Sequence, residues 1–200
     1  LRERLYNTLF FIDIDQSKKE EREVVYYDAY KKFAIVKILL GKGARNSAIS
    51  LALKLCKIAS EFELSDLYVD VLRVLRVHYG SMVGERKKYL FYSNQLEKAF
   101  KVLEAEILAE KYYIEVAAGY VSSQSNQNLV DLADRYSKEL TEILKTKRSY
   151  RLVQYSYFIS LMRYQILNDY YGLLEICSGT LSEFEKRGKL FTTSMRFGIN

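Results

Sequence analysis

Proline is absent from this 200-residue chain, and glycine is scarce at nine residues. An average composition would supply about ten prolines. Because proline removes a backbone donor and clashes with the preceding turn, its absence favours long uninterrupted helices. An all-β sandwich or barrel needs closely spaced turn residues, which this composition does not supply. No G-x-G-x-x-G opens a helix after an apolar run, so the signature of a dinucleotide-binding α/β fold is missing. Tryptophan is absent and histidine occurs once, as His78. A lone histidine rules out a two-histidine metal site and a histidine-pair acid/base scheme; His78 beside Tyr79 reads as structural or solvated. The only cysteines, Cys56 and Cys177, sit among apolar neighbours, so buried free thiols in a reducing cytoplasm are expected rather than a disulfide framework. No run reaches the ~18 apolar residues of a membrane span, and no signal segment opens the chain. No membrane partner is expected. Because the chain starts at Leu1 and stops at Asn200 inside a new apolar pattern, it is expected to be a piece of a longer protein.

What is present is 49% hydrophobic and 28% charged residues, a net charge of +6 and eighteen tyrosines. Both signs of charge are mixed along the chain, whereas a nucleic-acid protein usually concentrates its cations. Ser17 and Glu20 have capping-box spacing, so residues 1–20 read as an N-terminal cap. Asp13 and Asp15, alternating with Ile12 and Ile14, read as a solvated loop rather than a metal site. A helix should then run to about Leu40, where Gly41-Lys42-Gly43 breaks it. Ala48, Ala52, Leu55, Ala59 and Phe62 mark the apolar face of a second helix. Ser65 and Asp66 offer capping chemistry for a third, with Tyr68, Val71, Leu75, Tyr79 and Met82 inward. Leu129, Leu132, Tyr136, Leu140 and Ile143 form another stripe, and residues 149–167 are apolar on nearly every side, as in a helix wedged between neighbours.

The spacing of the breaks is regular. Gly43, Gly84, Asn126 and Asn168 follow one another at 41, 42 and 42 residues, the mark of stacked helical hairpins whose apolar faces are buried only by neighbours. With helix A before each break and helix B after it, the A helices cover 22–40, 65–82, 105–121 and 149–167, and the B helices 46–62, 86–102, 127–145 and 170–187. No strong breaker lies between 86 and 120, so one helix of about 35 residues is the alternative to a turn at 102–105. The expected architecture is a single all-α domain over 1–200, a right-handed αα-hairpin superhelix with four hairpins over 22–188 and a further helix starting at 190–200.

At the last hairpin Asn168-Asp169-Tyr170 reads as a turn, Tyr157 and Tyr164 take aromatic positions of helix A, and Leu173 and Thr180 take small-residue positions of helix B. In these residues the array resembles the tetratricopeptide repeat family. Leu161 stands where that family has glycine, no proline ends the repeat, and the period exceeds the family's 34 residues; armadillo and HEAT-type arrays share the longer period. The resemblance implies that the A helices line a concave groove. Twelve of the eighteen tyrosines lie in the A helices as drawn, which implies a tyrosine-rich inner surface for a protein or peptide segment, tyrosine combining a large apolar body with a hydroxyl at low entropy cost. The residues expected to bind the partner are Tyr68, Tyr79, Tyr113, Tyr120, Tyr150, Tyr157, Tyr164, Arg73 and Arg76. Asp70 stands three residues before Arg73 and could neutralise it.

No catalytic constellation, metal site or cofactor is expected, and the function read from the sequence is a non-catalytic interaction scaffold. An alternative is the sensor or dimerisation module of a transcription regulator or signalling kinase, with a homodimer as partner. A third reading is nucleic-acid binding through Lys145, Lys147, Arg148 and Arg151, beside Tyr150 and Tyr155; cations in a last helical turn also simply complement its dipole, the reading favoured here. Gly41 to Ser47 has the look of a phosphate cradle, but it lacks the P-loop spacing and the recurring turn accounts for both glycines.

Overall fold

A computed structural model describes residues 21–122, 126–186 and 190. The described residues form seven α-helices and no strand: α1 (Glu21–Gly41), α2 (Arg45–Glu61), α3 (Ser65–Val77), α4 (Arg86–Val121), α5 (Asn126–Thr146), α6 (Tyr150–Leu167) and α7 (Tyr170–Glu185). A π-helical turn, His78–Met82, continues α3. Asp13, Asp15, the Ser17–Glu20 pair and the helix expected from 191 onward lie outside the described residues.

The helix ends follow from local chemistry. At Gly43 (φ 76°) the Ala44 amide donates to the Leu39 carbonyl and the Gly43 amide to that of Leu40. This is a Schellman end, in which a left-handed residue lets orphan carbonyls be satisfied. Asn168 (φ 54°) repeats it, with the Asp169 amide donating to Tyr164 and its own amide to Gln165. The Asp169 carboxylate then accepts from the Gly172 amide and caps α7. Ser149 caps α6, its hydroxyl accepting from the Leu152 amide at 3.3 Å. Leu64 rather than Ser65 holds the cap position of α3, and Ser65 is buried in the first turn.

Between residues 102 and 105 there is no turn. The helices expected over 86–102 and 105–121 are halves of the 36-residue α4. The segment Phe100-Lys-Val-Leu-Glu-Ala-Glu106 contains no residue that breaks a helix, so nothing competes with propagation there.

The chain packs as two compact units, one ending at Ala99 and including Leu190, the other beginning at Phe100. In the first, α2 packs against both α1 and α3; Ala29, Val36, Ala48, Ala52, Leu55, Ala59, Val71, Leu72 and Leu75 are sealed from water. The expected face of α2 is buried throughout; on the expected face of α3, Met82 is exposed. In the second, α6 lies between α5 and α7. Its core joins Ala105, Ala109 and Val116 of α4 to Ala133, Tyr136 and Leu140 of α5 and to Leu152 and Ile159 of α6.

Candidate functional site

In the first unit, the C-terminal part of α1, the start of α2, α3 and the π turn enclose a cleft of about 330 Å³. Leu40, Ile49, Val74, Val77 and Met82 give it apolar walls, while Lys37, Arg45, Asp70, Arg73, Arg76 and His78 add polar groups. The single acid is taken: Asp70 pairs with Arg73 at 3.2 Å. Lys37 lies over the Phe33 ring at 5.7 Å. Arg45 and Arg76 have no acidic partner among the described residues. Two expected site residues, Arg73 and Arg76, are thus brought together with Lys37 and Arg45, which the sequence did not single out for this role.

His78 opens the π turn, where the Val83 amide donates to the His78 carbonyl and the Glu85 amide to that of Tyr79. The wider turn interrupts the i→i−4 ladder and changes the direction of the side chains that follow. The His78 Nδ1 atom is buried without a hydrogen-bond partner. Burial pushes the imidazole below its ordinary pKa, and repulsion from Arg45 and Lys88 adds to the effect. Losing a proton relieves both costs.

The tyrosines divide between packing and surface. Tyr79, Tyr150 and Tyr157 are buried; Tyr79 lies inward as its helix face suggested, and none of the three is open to a partner as the groove reading required. Tyr79 stacks on Tyr92 at 5.3 Å, Tyr150 meets Phe184 edge-on at 5.3 Å, and the Tyr157 hydroxyl lies 3.4 Å from the Cys177 sulfur. The seven-residue spacing of Tyr150, Tyr157 and Tyr164 does set them on one face of α6, but α7 covers that face. Tyr164 rests on Gly172, where an added Cβ would come within 2.2 Å of its ring. Tyr68, Tyr113 and Tyr164 are half-buried, and Tyr113 is flanked by Tyr155 and Phe158. Of the seven candidates only Tyr120 is exposed. Both cysteines are free thiols but only half-buried.

The basic segment of the second unit is largely neutralised. Lys145 pairs with Glu142 at 2.6 Å, Arg148 with Glu183, and Arg151 lies 4.0 Å from the buried Glu106. Among the described residues no group of three or more His, Cys, Asp or Glu side chains converges as metal ligands would, and no helix is long and apolar enough to cross a membrane.

A row of exposed apolar residues on α4 went unread in the sequence. Phe100, Ile107, Ile114 and Val121 of α4 stand seven residues apart and are 54% to 83% exposed. Seven residues fall ~20° short of two full turns, so the four form one slowly drifting stripe. Lys101, Glu104, Lys111 and Glu115 flank it and are also exposed; Lys111 lies 3.7 Å from Glu115, which accepts a bond from Tyr136. The seven-residue spacing was the signal that could have revealed it. Compared with family models, curated proteins and solved structures, the chain matches none.

Proposed function

We propose that this chain is a non-catalytic helical scaffold for protein–protein association, and that its contact surface is the stripe of α4 rather than a tyrosine-lined groove. The carrying observation is the row Phe100, Ile107, Ile114 and Val121, large apolar side chains left more than half exposed along one helix. Burying such a side chain is worth roughly 1.5–3 kcal/mol, and rows of this period fit a facing helix. The regular spacing of the turns supports a helical-repeat origin of tetratricopeptide type, with one turn replaced by the unbroken α4. Two free thiols agree with a reducing cytoplasmic setting.

A second reading, the dimerisation module, is favoured by the order of charges. Were two copies of α4 to pack antiparallel about Ile107 and Leu108, Glu104 would face Lys111 of the second copy, a complementary pair, and Lys101 would come within one residue of its Glu115. Sedimentation velocity over a range of concentrations tests both readings. The wild-type chain is expected to self-associate and Ile107→Glu to remain monomeric with unchanged helical circular dichroism. A wild type monomeric throughout removes the dimer and leaves a different protein as partner. An Ile107→Glu variant that dimerises like the wild type removes the stripe.

A further inference from the structure

We infer that the cleft of the first unit binds a small organic phosphate, its phosphoryl group held by Arg45 and Arg76 and its apolar body resting on Ile49 and Val74. The inference is independent of the α4 stripe, which belongs to the other unit.

Three observations converge. First, the cleft volume, about 330 Å³, is that of a small-ligand site, and its lining combines apolar side chains with cations. Second, the charges do not cancel. Among the described residues, Lys37, Arg45, Arg73 and Arg76 line the cleft against Asp70 alone, and Asp70 is spent on Arg73. Arg45 and Arg76, without an acidic partner among the described residues, are the side-chain type that binds phosphate oxygens bidentately. A phosphate monoester carries −1.5 to −2 charges near neutral pH, about what two arginines neutralise. Third, His78 lines the cleft, and its Nδ1 atom is buried without a hydrogen-bond partner. A bound oxyanion would offset the repulsion that Arg45 and Lys88 exert on this imidazole.

The backbone adds to this. Arg45 is the first residue of the 17-residue α2, whose N-cap, Ala44, supplies no side-chain bond and whose first turn contains no acid. The positive dipole end of that helix therefore has no acid of its own first turn beside it. Gly43 lets the chain turn sharply into this end, so the glycines that end α1 also bring Arg45 to the cleft.

Because His78 is the only histidine, its imidazole resonances are an unambiguous reporter. The test follows them by NMR at fixed pH in the full chain during titration with inorganic phosphate, phenyl phosphate or phenol. Both phosphates are expected to give saturable shifts, phenyl phosphate binding more tightly than inorganic phosphate, with no response to phenol. Arg45→Gln with Arg76→Gln should weaken phenyl phosphate at least about tenfold, on the scale of lost charge-assisted bonds. Asp70→Asn, which frees Arg73, should tighten it, a gain that misfolding cannot mimic. No His78 response to either phosphate overturns the proposal, as does a double variant that stays folded and binds as the wild type does. Equal affinity for the two phosphates removes the apolar subsite, and failure of Asp70→Asn to tighten binding removes the charge argument.

Discussion

Single residues fix the ends of these helices, and their cost is measurable. Gly43 at φ 76° has open space around its missing Cβ, so Gly43→Ala tests backbone conformation alone. It should destabilise the first unit by about 1–2 kcal/mol in urea unfolding. Ser149→Ala removes a buried cap and should cost about 1 kcal/mol in the second unit. Titration adds a signed prediction. Tyr112 donates to Glu139, and this bond, with burial adding, pushes its hydroxyl up to about 12 from 10. A raised pKa gives stability present below pH 10 and lost as pH rises through 12. Tyr112→Phe should therefore flatten the alkaline limb of the thermal-midpoint profile over that window. His78 runs the other way: its lowered pKa means that the folded state binds its proton less readily than the unfolded chain. Stability should fall as pH drops below 6.5, a limb that His78→Gln should remove.

At the scale of elements, the turns were legible and the faces were only partly so. Gly43 and Asn168 end helices where the sequence puts a left-handed residue, and Asp169 announces the next cap. The apolar positions of α2 give its buried face directly, because one side of that helix carries nearly all of them. Tyr150 and Tyr157 misled because helical spacing says which residues share a face but not whether a neighbour covers it; Phe184 and Cys177 of α7 do so. The cleft was legible only in part for a related reason. Arg73 and Arg76 share α3, whereas Lys37 and Arg45 come from two other elements that tertiary packing alone brings beside them. The continuity of α4 rests on the lack of a breaker between Phe100 and Glu106. Leu103→Pro, tolerable in a turn, should cost ~3 kcal/mol or more here. Hydrogen exchange should find the amides of 101–106 protected like the rest of α4.

Over the whole molecule, a net charge of +6 is spread over two units that use it differently. The second unit pairs most of its conspicuous cations internally, through Lys145, Arg148 and Arg163 with Glu142, Glu183 and Asp134. The first leaves Arg45 and Arg76 around one cleft without acidic partners among the described residues. Raising salt should therefore weaken phosphate binding markedly while affecting association through the apolar stripe far less. Calorimetric titration and sedimentation at matched salt concentrations would read the two separately; a parallel loss of both would show that the stripe associates through charge.

The unbroken α4 also sets a rule for length. Each residue of a helix advances the chain by ~1.5 Å and turns it by ~100°. A single insertion between Ala99 and Glu104 would therefore swing the stripe to another side relative to the helix's first half. The same insertion beside Lys42 would be absorbed by a loop. In this chain the boundary between the compact units falls inside one helix, and deletions or insertions there should be counted in whole turns.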